Sequence, residues 1–181
     1  MATTESDITE AENLRERYRI EREKRLRPDG HTQYLEPAGR FAHLLEDPYS
    51  NHDPRETFTG EVSVAIIGGG FAGLSAGARL KEAGINDVML IESGGDVGGV
   101  WYWNRYPGAM CDTAAMVYLP LLEETNYFPS KKYVQGYEIH AHAQRIATTF
   151  GLYDNALFST KVEDLSWDED LSRWIIKPNQ G

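Results

Sequence analysis

Two groups of residues in this chain have the types and spacing to do chemistry. The first is Gly68-Gly-Gly70-Phe-Ala-Gly73, a GxGxxG turn, followed 19 residues after Gly73 by Glu92. Gly68 permits the tight turn and Gly70 lets the backbone approach a pyrophosphate. Gly73 lets a following helix pack on a sheet, and a carboxylate at that distance can accept the ribose hydroxyls of an adenosine. The helix N-terminal N–H groups favour the phosphate charge. A 2′-phosphate would be repelled by Glu92, which disfavours NADP at this particular turn. The second group is Val100-Trp-Tyr-Trp-Asn-Arg-Tyr-Pro-Gly-Ala-Met-Cys-Asp112, an aromatic block ending in a carboxylate.

The turn carries meaning only in context, so the elements around it decide the reading. Val62, Val64, Ala65, Ile66 and Ile67 form an apolar run expected of a strand buried on both faces. Ala72 to Ala83 predicts a helix with Leu74, Ala78 and Leu80 among its apolar positions and Gly84 closing it. Val88 to Ile91 predicts a second buried strand ending at Glu92. The β-turn-α-β unit spans about 30 residues, as a dinucleotide-binding unit should. Further on, Ile139, Ala143, Ile146 and Phe150 form a helical stripe between Gly136 and Gly151. Thr160 to Trp167 and Arg173 to Lys177 predict a hairpin turning at Asp168-Glu-Asp-Leu171, with Trp167 and Trp174 packed on each other. The fold class is therefore α/β: a Rossmann-like βαβ unit with a hairpin or meander segment, incomplete at its C-terminal end.

Residues 1–60 differ from the rest. Asn13 to Arg27 predicts a charged helix stopped by Pro28-Asp29-Gly30. Residues 31–60 scatter Tyr34, Leu35, Phe41, Leu44 and Leu45 among three prolines. That stretch reads either as an arm lying across a larger body or as a solvated leader. The division expected is an extension over 1–60 and the first part of a cofactor-binding domain over 61–181.

FAD fits better than NAD. Ser93-Gly94-Gly95-Asp-Val-Gly98-Gly99 is a second glycine-rich loop directly after the ribose carboxylate, expected to let backbone N–H groups approach another part of the cofactor. A nicotinamide dehydrogenase has no evident use for it, or for Trp101, Tyr102 and Trp103. With these residues in hand, the sequence resembles the Baeyer–Villiger monooxygenases, a class of flavin-dependent monooxygenase. The resemblance is carried by Ile66-Ile-Gly-Gly-Gly-Phe-Ala-Gly-Leu74, Glu92-Ser-Gly-Gly-Asp-Val-Gly-Gly99, Trp101-Tyr-Trp-Asn-Arg-Tyr-Pro-Gly108 and Cys111-Asp112. It covers residues 61–181, the N-terminal FAD-binding portion of such an enzyme, and the leader resembles members with an N-terminal extension.

The resemblance implies roles. Gly68, Gly70, Phe71, Ala72 and Gly73 would cradle FAD, and Glu92 would hold its ribose. Gly99, Val100, Trp101, Tyr102 and Trp103 would line the flavin site. Tyr118 would also face FAD, and Val162 would reach its adenine end through backbone contacts. Met110, Cys111 and Asp112 would lie near the nicotinamide of NADPH, with Asp112 also holding a catalytic arginine supplied from outside these residues. Two positions depart from the family pattern, which commonly has Thr at 100 and Arg at 110. The family's second GxGxxG, for NADPH, and its Phe-x-Gly-x-x-x-His-Thr-x-x-Trp string are absent. The implied activity is oxidation of a ketone to an ester or lactone with NADPH and O₂, in a complete enzyme and not in 181 residues alone. Another flavin monooxygenase, oxygenating nitrogen or sulfur, and a catalytically silent flavin-binding or interaction module remain as alternatives.

Composition is consistent with a cytoplasmic enzyme. Asp+Glu number 28 against Lys+Arg 18, a net charge of −10 that would repel nucleic acid. No apolar run reaches the roughly 20 residues of a membrane helix, and the first residues lack the basic start and apolar stretch of a signal peptide. Cys111 is the single cysteine, expected as a packed thiol. Five scattered histidines, with His140 and His142 diverging on one helix, leave no expected metal site.

Overall fold

The structure, a computed structural model, describes residues 5–50 and 58–179. The chain forms two compact units, Met1–Glu46 and Asp47–Gly181. In the first, helix α1 spans Glu5–Glu23, longer toward the N-terminus and shorter toward the C-terminus than the charge pattern predicts. Its described surface is laced by exposed ion pairs, Arg19 with Glu16 and Glu23, and Lys24 with Glu21. Exposed pairs of this kind are screened by water and add little to stability. Two 3₁₀ segments follow, Gly30–Gln33 and Gly39–Leu45. Tyr34, Leu35, Leu44 and Leu45 are exposed.

The second unit is a Rossmann-like α/β fold. Strand β1 (Val64–Ile67) pairs in parallel with β2 (Val88–Ile91), which pairs in parallel with β3 (Ala156–Leu157). Helix α2 (Phe71–Glu82) connects β1 to β2. Ala83 caps its C-terminal end, with Gly84 just beyond at φ +83°. Helix α5 (Gly136–Thr149) packs against α2. Leu74, Ala78, Val88, Leu90, Val97 and Ile146 meet in one core cluster. Fully burying Ile139 and Ile146 along the stripe of α5 contributes about 1.5–3 kcal/mol each. Two one-turn helices, α3 (Val100–Trp103) and α4 (Ala115–Tyr118), fall in stretches whose periodicity is too short to announce a helix.

The hairpin forms as expected: β4 (Val162–Asp168) pairs antiparallel with β5 (Arg173–Pro178). Trp167 and Trp174 face each other across it, ring centroids 5.6 Å apart. β4 begins two residues later than the apolar pattern suggests. The Thr160 N–H is held by the Glu92 carbonyl, and that of Lys161 by the Asn179 side chain. β1 likewise starts at Val64 because Ser63 bonds the Asp87 carboxylate through both its N–H and its hydroxyl. The second unit starts at Asp47, earlier than the composition change near residue 60, because Asp47 and Ser50 make long-range contacts within it. No helix among the described residues is long and apolar enough to cross a membrane.

Candidate functional site

The carboxyl end of the parallel sheet carries the glycine turn. The Gly68 N–H bonds the Ile91 carbonyl, so the turn is pinned where β1 and β2 end. Gly70 caps α2 in extended conformation. The first intrahelical bond runs from the Leu74 N–H to the Gly70 carbonyl. The N–H groups of Phe71, Ala72 and Gly73 therefore have no backbone partner among the described residues, as expected of a helix start. A Cβ at Gly73 would sit 2.0 Å from the Gly68 carbonyl oxygen, so no other residue fits without moving the backbone. Three aligned amides with the positive end of a 12-residue helix suit a pyrophosphate.

Glu92 lies between the two glycine-rich loops and is almost fully buried. One carboxylate oxygen accepts the Gly69 N–H at 2.5 Å. The other accepts the Gly94 N–H at 2.7 Å and the Ser93 hydroxyl at 3.1 Å. A carboxylate offers about four lone-pair directions, and three are occupied. A ribose hydroxyl can take the fourth, and a second one must displace Ser93 Oγ.

The second glycine-rich loop is built differently from the expectation that its amides serve a cofactor. Gly94 N–H goes to Glu92, Gly95 N–H to Asp47 and Tyr102, Val97 N–H to Asp96, and Gly98 N–H to the Gly69 carbonyl. Asp96 also accepts bonds from Gln144 and Tyr153, both at 2.7 Å. Carboxylates shape the loop from within, so four of its amides have internal partners. The loop abuts the turn: a Cβ on Gly99, which has φ +54°, would lie 2.9 Å from the Gly70 Cα.

The aromatic block splits between core and surface. Trp101 and Tyr102 are buried, whereas Val100 and Trp103 are exposed. Trp101 Nε1–H donates to the Tyr118 hydroxyl at 2.7 Å. Phe71 meets Tyr118 edge-on at 5.8 Å and His142 at 6.2 Å, so the first residue of α2 joins the wall made by Trp101 and Tyr118. Burial, then the Asp47 hydrogen bond, push the Tyr102 hydroxyl up to about 12. Beside Trp101 opens a cavity of about 410 Å³, lined among others by Arg105, Pro107, Gln135, Tyr137 and His140.

The comparisons with known proteins agree with this geometry. The family of NAD(P)-binding Rossmann-like domains matches residues 66–134. A Baeyer–Villiger monooxygenase of Streptomyces coelicolor is 53% identical over 92% of the chain, which spans 28% of that relative. The polycyclic ketone monooxygenase of the thermophilic fungus Thermothelomyces thermophila superposes with a TM-score of 0.80 at 36% identity, over 96% of this chain and 29% of that one. The chain belongs to the flavin-dependent Baeyer–Villiger-type monooxygenases. It spans under a third of the length of these relatives. A third structure, OTEMO in complex with FAD and NADP, matches at 28% identity and a TM-score of 0.60, covering 65% of this chain and 22% of that one.

Within this Baeyer–Villiger segment, the site residues expected from the sequence fall into two sets. Gly68, Gly70, Phe71, Ala72, Gly73, Glu92, Gly99, Trp101, Tyr102 and Tyr118 are tied together by the turn, the loop and the ring contacts above. Met110 and Asp112 lie with Val100 and Trp103 on exposed positions, and no described side chain hydrogen-bonds the Asp112 carboxylate. Cys111 points into the core beside Trp101, Ala115, Leu119, Val134 and Ile139. Val162 opens β4, two residues past Thr160, whose N–H the Glu92 carbonyl holds. His140 and His142 do diverge: His140 Nε2 bonds the Val97 carbonyl and His142 Nε2 the Pro120 carbonyl. Asp47 and Asp96 are the residues that sequence reasoning missed. A lone Asp in a proline-punctuated stretch gives no signal, and Asp96 reads only as part of a glycine loop.

Proposed function

We propose that this chain supplies the FAD-binding segment of a cytoplasmic Baeyer–Villiger monooxygenase that converts a ketone to an ester or lactone with NADPH and O₂. The observation that carries the reading is the pairing of three amides at the start of α2, without partners among the described residues, with the buried Glu92 carboxylate. A dinucleotide has that same pairing of pyrophosphate and ribose. The names of the matched enzymes, a polycyclic ketone monooxygenase and a complex with FAD and NADP, supply the substrate class and the cofactors.

In this reading Phe71, Ala72 and Gly73 donate to the pyrophosphate, and Glu92 accepts from the ribose. Trp101 and Tyr118, locked by their hydrogen bond, form an apolar wall that keeps water from the flavin ring. Val100 and Trp103, both exposed, line the flavin site, and Met110, also exposed, lies near the nicotinamide in this reading. Asp112, exposed and carrying no described partner, receives a cation from elsewhere in the full-length protein. When bound, FAD carries two electrons from NADPH to O₂, so that one oxygen atom enters the ketone and the other leaves as water. Turnover belongs to the full-length protein, since the described residues carry one dinucleotide turn and the reaction needs two nucleotides. The test is to purify the full-length protein, record its flavin absorbance, and follow NADPH with a cyclic ketone or an amine as substrate. Lactone formation is the expected result. Absence of flavin, or oxygenation of the amine with the ketone untouched, refutes the reading.

A further inference from the structure

Asp47 is a buried carboxylate in the stretch preceding the first strand, far from the glycine turn in sequence. Its Oδ1 accepts the Tyr49 N–H at 2.9 Å, the ordinary local bond of an aspartate that shapes a turn. Its Oδ2 does something a turn does not require. It accepts the Gly95 N–H at 2.9 Å, 48 residues away, and the Tyr102 hydroxyl at 2.5 Å, 55 residues away. The Gly95 N–H also reaches the Tyr102 hydroxyl at 2.9 Å, which closes a three-membered ring of hydrogen bonds among Asp47, the loop and the aromatic block. Tyr49 packs edge-on against Tyr102 at 5.9 Å. The Arg105 guanidinium lies over both rings, 4.1 Å and 4.5 Å from their centroids. A Cβ on Gly95 would meet Ser50 Cβ at 2.3 Å. The glycine at 95 is therefore required by the approach of residues 47–50, not by a ligand.

We infer that Asp47 is a positioning residue of the flavin site. It holds the second glycine-rich loop and the buried Tyr102 in one arrangement, so that residues 47–50 belong to the cofactor site. The inference rests on the FAD reading above. Residues 47–50 touch the loop between Glu92, the proposed ribose ligand, and Trp101, the proposed flavin wall. Losing the carboxylate leaves a buried N–H and a buried hydroxyl without their shared acceptor. Asn at 47 can restore that acceptor only by turning its NH₂ onto the Tyr49 N–H, so one of the three bonds to the carboxylate is lost in either orientation.

The test is a double-mutant cycle on the full-length protein: wild type, Asp47→Asn, Tyr102→Phe and the double variant. Each is titrated with FAD by quenching of flavin fluorescence, with near-UV circular dichroism as the check on folding. Each single change is expected to weaken FAD about tenfold. The double variant is expected to be scarcely weaker than either one, because both changes break the same shared ring. General loosening of the fold would instead multiply the two losses. Wild-type affinity in Asp47→Asn, or losses that multiply, overturns the inference. If Asp47→Asn does not fold, the Tyr102→Phe arm decides, and wild-type affinity there overturns it. A wild-type protein that takes up no FAD refutes the flavin reading itself, which separates that failure from this one.

Discussion

Glu92 is both a cofactor ligand in the proposed reading and a structural tie in the chain, and removing it should be felt before any cofactor is added. Its two oxygens accept the buried N–H groups of Gly69 and Gly94 at 2.5 and 2.7 Å, with Ser93 Oγ as a weaker third partner. Hydrogen bonds to a charged acceptor contribute about 1.5–3 kcal/mol each, so Glu92→Ala has an upper bound of roughly 3–6 kcal/mol. Water entering the space left by the side chain will re-satisfy part of this, and we expect about 3 kcal/mol. For a folded unit of this size that is about 10 °C in Tm. Glu92→Gln keeps one acceptor oxygen and should lose about half as much. The assay is thermal or urea unfolding of the FAD-free protein, followed by FAD titration of the variants that stay folded. The ligand contribution then appears as the part of the affinity loss that exceeds the stability loss. An unchanged Tm of the FAD-free Glu92→Ala protein would refute the claim that this carboxylate ties the loops together. An unchanged FAD affinity would refute its role as ribose ligand.

Gly73→Ala places a methyl group 2.0 Å from the Gly68 carbonyl oxygen, roughly 1.5 Å inside contact distance. The obstacle is backbone, so we expect a loss of about 3 kcal/mol in unfolding experiments and no measurable FAD binding. Asp112→Ala in the full-length protein should retain FAD and still oxidise NADPH, while ester formation per NADPH falls about 100-fold through misplacement of the cation proposed to pair with Asp112. Measuring hydrogen peroxide against ester tests this, and normal coupling would refute the role. Burial lowers the proton affinity of His140 and His142 in the folded state, and His142 Nδ1 is buried without a hydrogen-bond partner among the described residues. Above about pH 6.5 both states are neutral at these residues and stability is full. As pH falls below that value the unfolded chain takes up protons that the folded chain refuses, so stability declines. Urea midpoints between pH 8 and 5 should show that decline, and His142→Phe should make it shallower.

The local elements were legible because their residues repeat with a recognisable period. Val88 to Ile91 reads as a strand and is one, and the stripe from Ile139 to Phe150 reads as the helix that packs on α2. The GxGxxG turn after β1, the place of Glu92 at the end of β2 and the Trp167–Trp174 pair were also readable, since each follows from spacing within one supersecondary unit. What escaped is what joins distant stretches. β3 is two residues long and exists only because Leu90 and Ile91 offer it an edge. The second glycine loop looks in sequence like a set of free amides. The carboxylates that occupy them are Asp47, far upstream, and two residues inside or beside the loop itself, Glu92 and Asp96. α1 shows the opposite failing, because its ion pairs describe a surface and set no end point.

The bonding of Asp96 bears on how fast a cofactor can come and go. Its carboxylate fixes Val97 from inside the loop, Gln144 from α5 and Tyr153 from the segment beyond it. The loop is thus anchored to a helix whose inward face is fully buried, and its backbone has surrendered its conformational freedom during folding. A cofactor arriving at the turn meets a surface that needs little rearrangement. Encounter should then be limited by diffusion and orientation, with differences in affinity among variants appearing in how long the cofactor stays. Loosening the anchor, by Tyr153→Phe for instance, would transfer that ordering to the moment of binding, and the rate of association would fall with it.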